Sequence, residues 1–591
     1  MRIALGQLNF TTGDIEGNTR KIIAAVEQAR SAGADIAVFP EMAITGYCVS
    51  DLVEDRSFVA ANMEALWKIA PRTRDIIAVV GFVEYDPLRL NEDGTVRKYN
   101  SAAVIQNGRI VGVARKSLLP NYRYFDDKRY FSPAECRKPI EVNVRRKLVR
   151  LGIAICEDMW DENYELKPIR ELAQKGADII ININASPFIP GKWKIREDII
   201  QRHIANTGLA FVYVNTVGAS DNGKNIIPFD GNSTVHDSEG RLVGLASQFA
   251  EDLPVIELKE LNEGHSSADH KRFSGKSIER PLCTTEEELY SVLVMSVRDY
   301  AVKTGFKSAV VPLSGGIDSA IGLCITVDAL GKENVKAFNL PSRFNTDTTK
   351  RIAETIAKNI GVEYCIIPIE RIDSVIREEY EKVAGTIHSK TAKENLHARI
   401  RGVLMMLYSN DTGALLISNG NETEIGLGYN TLYGDMCGGI SVIGDLTKME
   451  VYKLGRYINS RYGFEVLPEE IFTIRPSAEL SEGQYDPFDY PVVSPIVNLL
   501  AERKMSPEEI LMKFKYREFD EKLFLPDSEG RTIYERFTYE EFKKLVKEIY
   551  DMMAKAVYKR MQGPPIIAVS ERAFGFDLRE TIINRWRGLL E

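Results

Sequence analysis

The chain has 591 residues, 44% hydrophobic and 27% charged, with 43 Gly and 24 Pro. These proportions describe a globular protein and exclude the collagenous, low-complexity and disulfide-scaffold classes. With Lys+Arg 76 against Asp+Glu 84 the net charge is −8, a balance that argues against a surface built for nucleic acid or anionic lipid, so neither is expected as a partner.

The chain opens on MRIALGQLNF, which reads as a strand and lacks the basic and apolar regions of a signal peptide. No apolar run approaches the ~20 residues of a membrane helix, and a cytoplasmic protein is expected. From residue 1 to about 262 short β-branched runs alternate with amphipathic stretches. Strands are predicted at Arg2–Leu8, Ala34–Phe39, Ile76–Val83, Ala102–Gln106, Val149–Ile155 and Asp178–Asn182. Two stretches echo each other, since Ser31–Glu41 and Lys175–Pro187 each carry Gly-Ala-Asp before an apolar run. Gly33 and Gly176 are placed to end a helix in the left-handed conformation before the chain enters a buried strand. The echo predicts a layered α/β sandwich with internal pseudo-symmetry, its strand ends at Glu41 and Ser186 lying near one another.

Periodicity is lost over Leu261–Pro281, where polar, Gly and Ser residues dominate, and residues 263–285 read as an interdomain linker between domains at 1–262 and 286–591. Beyond it, a helix over Glu286–Lys303, a strand over Lys307–Leu313, a helix over Ser319–Ala329 and a strand over Val335–Leu340 are predicted. Strands alternating with helices mean right-handed βαβ units on a parallel sheet. The stretch from Ser506 is helix-rich and charged, and it ends in a Gly-Pro-Pro turn followed by Ile566–Arg587.

Three short signatures in the first part carry chemistry. Phe39-Pro40-Glu41, the run from Arg115 to Asn121, and the run from Cys156 to Trp160 each follow an apolar stretch, where a strand delivers side chains to the end of a sheet. A carboxylate, an ammonium and a thiol held together supply the elements of acyl transfer: a base for the thiol proton, a sulfur nucleophile and a cation for the oxyanion. A free thiol has a pKa of ~8.5, so it needs such neighbours at neutral pH. Taken singly, Glu41 reads equally as a cap, Lys116 as a solvated charge and Cys156 as a small core residue. The seven cysteines include no CxxC pair and the six histidines no HExxH pair, so a disulfide framework, a zinc ribbon and histidine-bound metal are not expected.

In the second part, Ser314, Gly315, Gly316, Ile317, Asp318 and Ser319 follow a strand and open a helix. Two glycines let backbone N–H groups approach a polyphosphate, and the helix N-terminus adds its dipole. There is no Gly-Lys-Ser or Gly-Lys-Thr of a Walker loop. Asp318 is placed to ligate a magnesium ion bridging phosphates.

Jointly and in this order, Glu41, Lys116 and Cys156 resemble the catalytic residues of the nitrilase (carbon–nitrogen hydrolase) superfamily, over essentially all of residues 1–262. The resemblance implies a four-layer αββα sandwich acting as a glutaminase, with Tyr122, Ser186 and Lys192 holding glutamine. Two positions depart from it: Asp127 and Ala134 stand where relatives commonly carry Glu and Gly. The Ser314–Ser319 loop resembles the ATP pyrophosphatase superfamily. Together with Asn395–Arg401, Ser418–Asp435, Ser441–Leu454, Arg475–Leu480, Lys559-Arg560 and Arg572–Arg587, it resembles the synthetase domain of glutamine-dependent NAD synthetases over nearly all of 286–591. That resemblance implies a Rossmann-like parallel-sheet α/β domain. It also implies ATP-dependent amidation of nicotinic acid adenine dinucleotide (deamido-NAD) to NAD through an adenylated intermediate, with glutamine-derived ammonia as nucleophile and with AMP, pyrophosphate and glutamate as by-products.

Carried onto this chain, the Ser314–Ser319 loop, Asn419 and Lys448 would contact ATP. Asn395, Arg399, Glu424 and Lys559 would contact deamido-NAD, Asp318 and Glu424 would hold magnesium, and a homo-oligomer is implied. Asn419 and Glu422 stand where many relatives have Thr and Lys. Without the resemblance, Lys448 and Arg399 read as solvated charges on amphipathic helices, and Tyr429 and Tyr433 as packing groups. The competing readings are an amidating enzyme for another carboxylate, a nucleic-acid-modifying enzyme built on the same ATP loop, and an ATP-binding regulatory scaffold.

Overall fold

In a computed structural model the described residues are 1–92, 94–260, 271–520, 522–584 and 586. The chain divides into two units, one of Met1–Asn222 with Ile227–Cys283 and one of Gly223–Ile226 with Thr284–Glu591. The expected boundary at 262, and residues 263–270 of the expected linker, lie outside the described residues. Within the rest of that stretch Phe273–Ser274 pairs antiparallel with Lys259–Glu260.

The first unit is a sandwich of two six-stranded sheets. In one, the parallel strands Arg2–Leu5, Ile36–Val38 and Ile77–Leu90 are flanked by antiparallel Val255–Glu257, Val96–Gln106 and Arg109–Arg115. In the other, Lys147–Ile155, Ile179–Asn184 and Ala210–Asn215 run parallel, with antiparallel Ile140–Val144 on one side and Thr234–His236 with Leu242–Leu245 on the other. Alternation of side chains along each strand splits the core into layers. Ile3, Leu5, Val38 and Val79 meet Ile153, Ile181 and Val212 between the sheets. Ala4, Ala37 and Val80 face helices Ile15–Ser31 and Arg56–Ile69, while Ile180 and Phe211 face Pro168–Gln174 and Lys192–Thr207. This is the four-layer αββα arrangement, and the two three-strand parallel cores are its pseudo-symmetry. Gly33 at φ +76° and Gly176 at φ +88° make the left-handed turns that enter the two echoing strands.

One pair of strands is longer than its apolar pattern. Ile77–Leu90 and Val96–Gln106 extend as a hairpin in which Leu88 is exposed. Its distal half has no core to face and therefore carries no alternation to read.

In the second unit a parallel sheet runs in the order Ile566–Ile567, Ile440–Ser441, Leu415–Ser418, Ala309–Pro312, Val335–Asn339 and Glu363–Ile366. Chain order therefore proceeds outward from Ala309–Pro312, first to one edge and then to the other. The reversal falls between Ala309–Pro312 and Leu415–Ser418, and the region beyond the carboxyl ends of strands at such a switch point is where sheets of this kind take ligands. Tyr490–Ala501, Pro507–Tyr516 and Tyr539–Arg560 pack a separate helical core around Phe514, Phe542 and Val546. Among the described residues no helix is long and apolar enough to cross a membrane.

Candidate active sites

At the C-terminal end of the first unit's parallel strands, Lys116 is 1% exposed and donates to Glu41 Oε1 at 2.8 Å and to Asp127 Oδ2 at 2.6 Å. Burial alone would push its pKa down, but Asp127 and Glu41 hold it well above the usual lysine value. Asp127, one methylene shorter than the common Glu, nonetheless reaches the ammonium. Glu41 is fixed on both oxygens: Asn100 Nδ2 donates to Oε1 at 2.6 Å and the Ala185 N–H to Oε2 at 2.8 Å. The second bond joins the strand ends at Glu41 and Ser186, as the sequence echo predicts.

Cys156 begins the short turn Cys156–Met159 with φ +45°, a left-handed conformation rare for a residue with a Cβ. Burial raises its thiol pKa, the Glu41 charge adds to that and Lys116 offsets it. Asp158, 2% exposed, accepts from the Ser117 N–H at 2.9 Å and the Leu118 N–H at 2.8 Å on one oxygen, and from the Ile155 N–H at 3.0 Å on the other.

The three residues expected to hold glutamine lie on segments around this cluster. Tyr122 OH donates to the buried Glu157 carboxylate at 2.9 and 3.0 Å, and Tyr164 OH donates to the same group at 2.9 Å. Ser186 accepts at its carbonyl from Arg196, whose other amino group pairs with Asp230 at 2.9 Å. Lys192, on the first turn of Lys192–Thr207, donates to the Pro187 carbonyl at 2.8 Å and lies 5.5 Å from the Trp160 ring centroid. Burial, with Arg196 and Arg123 nearby, pushes its pKa down to about 7. Asn100, Glu157, Asp158, Tyr164 and Arg196 were not singled out from the sequence. Glu157 and Asp158 stand inside a recognised signature, but only the fold reveals what their carboxylates accept.

In the second unit the Ser314–Ser319 loop lies at the sheet's switch point. Gly315 has φ +91°, and a Cβ there would stand 2.1 Å from the Thr349 carbonyl oxygen, so only glycine fits. Ser319 Oγ donates to the Gly316 carbonyl at 2.9 Å and accepts from the Ser314 N–H at 3.2 Å, which closes the loop before helix Ile317–Leu330. Asn419 donates to the Pro312 carbonyl at 3.2 Å.

Asp318 accepts from Asn421 Nδ2 at 2.9 Å and from Lys448 Nζ at 2.5 Å, and Lys448 lies 3.4 Å from Glu424 Oε1. Asn421 and Glu424 also cap each other at the start of Glu422–Leu427. Burial pushes the Glu424 carboxyl up to about 8, against the pull of Lys448 and with the push of Asp318. Lys448 is 3% exposed, which corrects its reading as a solvated charge. It sits at the first position of Lys448–Tyr462, where the helix abuts both carboxylates. Burial would lower its pKa, and Asp318 and Glu424 raise it well above the usual value.

The remaining candidates occupy the same unit. Asn395 Oδ1 accepts from Thr431 at 2.8 Å, exposed Arg399 donates to the Leu432 carbonyl at 3.2 Å, and Lys559 donates to the Gly428 and Asn430 carbonyls at 2.8 and 2.7 Å. All three therefore address the segment 428–432. Tyr429 packs edge-on against Phe488. Tyr433 does not pack: it is 65% exposed and donates to Gln562 at 2.7 Å.

Magnesium is implied by the resemblance, and the donor set bears on it. Among the described residues no group of three or more His, Cys, Asp or Glu side chains could hold a metal. Asp318 and Glu424 offer two carboxylates converging on one ammonium. Magnesium takes one or two carboxylates and fills its shell with water and phosphate oxygens, so these two residues are the ones that would hold it.

The carbon–nitrogen hydrolase family model matches residues 2–261 and the NAD synthase model residues 289–544. A glutamine-dependent NAD(+) synthetase of Thermotoga maritima is 36% identical, covering 99% of this chain and 99% of its own, and one of Aquifex aeolicus is 36% identical, covering 99% and 100%. The solved structure of the glutamine-dependent NAD+ synthetase of Acinetobacter baumannii in complex with ADP is similar with a TM-score of 0.72 at 31% identity, covering 99% of this chain and 98% of that one.

Proposed function

The chain belongs to the glutamine-dependent NAD(+) synthetases, and from that membership we propose how its residues share the reaction. The protein amidates deamido-NAD to NAD at the expense of ATP, with glutamine as nitrogen donor. The division of labour is a glutaminase at 1–262 and a synthetase at 286–591, joined by 263–285.

In the glutaminase, Glu41 takes the Cys156 proton as sulfur attacks the glutamine side-chain carbonyl, and Lys116 stabilises the oxyanion. Ammonia leaves with that proton, and water hydrolyses the glutamyl thioester to glutamate. Tyr122, Ser186 and Lys192 hold the polar ends of glutamine.

In the synthetase, the nicotinate carboxylate attacks the α-phosphorus of ATP and pyrophosphate leaves. Ammonia then displaces AMP from the acyl-adenylate. A bare carboxylate could not do this, because its leaving group would be oxide. Ser314, Gly315, Gly316, Ile317, Asp318, Ser319 and Asn419 cradle ATP. Lys448 neutralises the charge that builds on the phosphates, and Asn395, Arg399, Glu424 and Lys559 take the dinucleotide. Magnesium, held by Asp318 and Glu424, would supply charge neutralisation at the pyrophosphate.

The observation that carries the reading is the buried Lys116 ammonium set between two carboxylates next to the Cys156 turn. A homo-oligomer and a cytoplasmic location belong to the same reading, the latter in keeping with seven free cysteines. Light scattering tests the first.

The reaction is tested by mixing deamido-NAD, ATP, magnesium and glutamine. NAD, AMP and pyrophosphate should appear in equal amounts, with glutamate released alongside, and Asp318→Ala should abolish NAD formation. ADP and phosphate in place of AMP and pyrophosphate would refute the adenylation step.

A further inference from the structure

Asp158 is a buried carboxylate whose acceptors are spent on main-chain groups, and those groups belong to the two segments that carry the nucleophile and the cation. Ser117 and Leu118 directly follow Lys116, and Ile155 directly precedes Cys156. Their three N–H groups all donate to this one side chain, at 2.9, 2.8 and 3.0 Å. The segments come from separate strands, Arg109–Arg115 in one sheet and Lys147–Ile155 in the other. Three charge-assisted hydrogen bonds to one side chain fix both the distance and the orientation of the two segments. The chain also turns sharply there, from extended Ile155 at φ −126° to left-handed Cys156 at φ +45°. A conformation of that kind persists only where its surroundings over-determine it.

We propose that Asp158 is a positioning residue of the glutaminase reaction. It clamps the Lys116 segment to the Cys156 turn, so that ammonium and sulfur keep their spacing as the substrate carbonyl enters between them. The inference rests on the glutaminase reading above. It assigns Asp158 no contact with substrate, so its loss should act on the rate of the chemical step rather than on binding.

The test is Asp158→Asn in the full-length enzyme, with Asp158→Glu as the charge-retaining companion. An amide presents one acceptor and one donor to three converging N–H groups, so at least one of those bonds is lost. The expected result for Asp158→Asn is a fall in glutamine-driven kcat of about 10²-fold with KM for glutamine changed less than about threefold. Ammonium-driven NAD synthesis should stay within about twofold of wild type, and iodoacetamide should alkylate Cys156 at an altered rate. Asp158→Glu should recover part of kcat. Unchanged glutamine-driven kcat, a change in KM alone, loss of both activities, or failure of both variants to fold would each overturn the proposal. Cys156→Ala is run alongside: if it still used glutamine, the glutaminase reading itself would fall, whereas loss of glutamine use there with none in Asp158→Asn would remove only the clamp.

Discussion

Lys192 gives the glutaminase site a titration near neutrality. Its pKa is lowered to about 7 by burial and by Arg196 and Arg123, so it is an ammonium below that pH and a neutral amine above it. If the ammonium holds a carboxylate of glutamine, kcat/KM for glutamine, which reports the free enzyme, falls as pH rises through about 7. Lys192→Arg keeps its charge across that range and should remove the fall. A pH profile of the variant that overlies the wild type would take the role from Lys192. Lys448 is the counterpart in the synthetase. Replacing it with Met should lower NAD formation from glutamine and from ammonium alike by about 10²-fold or more, because both routes share the adenylation step. A variant impaired with only one nitrogen source would contradict that assignment. At this scale the sequence is uneven. Glu41, Lys116 and Cys156 stand in recognisable runs. The Asn100 and Ala185 groups that orient Glu41 lie 59 and 144 residues away in the chain, and no local pattern marks them. Lys448 likewise sits 130 residues from Asp318, and an amphipathic helix pattern does not reveal which carboxylates its first residue will meet.

Among the elements, the loop at 314–319 is tightly constrained. Gly315 combines φ +91° with a backbone oxygen where a side chain would begin, so Gly315→Ala meets both strain and a clash. Strain of this type costs of order 1–3 kcal/mol; with the loop required to hold this geometry to cradle phosphate, ~1.4 kcal/mol per decade weakens ATP binding by about five- to 150-fold. Calorimetric titration with ATP measures it, and glutaminase activity should be unaffected. An unchanged ATP affinity would mean the loop is not the phosphate cradle. This element was legible because two glycines between an apolar strand and a helix leave few alternatives. The hairpin Ile77–Leu90 with Val96–Gln106 was legible only in its buried half, since hydrophobic alternation records burial and not pairing. The bond between Ala185 and Glu41 was foreshadowed by the Gly-Ala-Asp echo, which placed both strand ends on one face.

On the scale of the whole molecule, two kinds of parallel core stand in one chain. The sandwich could be anticipated from strand spacing and the echo. The switch point of the second unit follows from strand order, which a sequence does not state: the reversal at Ala309–Pro312 becomes visible only when Leu415–Ser418 is seen pairing on its other side. The chain carries two chemistries that share one intermediate, ammonia, so removing the first should leave the second able to run on ammonia from solution. The most direct measurement is NAD formation by Cys156→Ala from deamido-NAD and ATP, with glutamine and with ammonium chloride in parallel. No detectable NAD should form from glutamine, and the rate from ammonium should stay within about twofold of wild type. NAD formed from glutamine, or no NAD from either source by a folded variant, would contradict that division of labour.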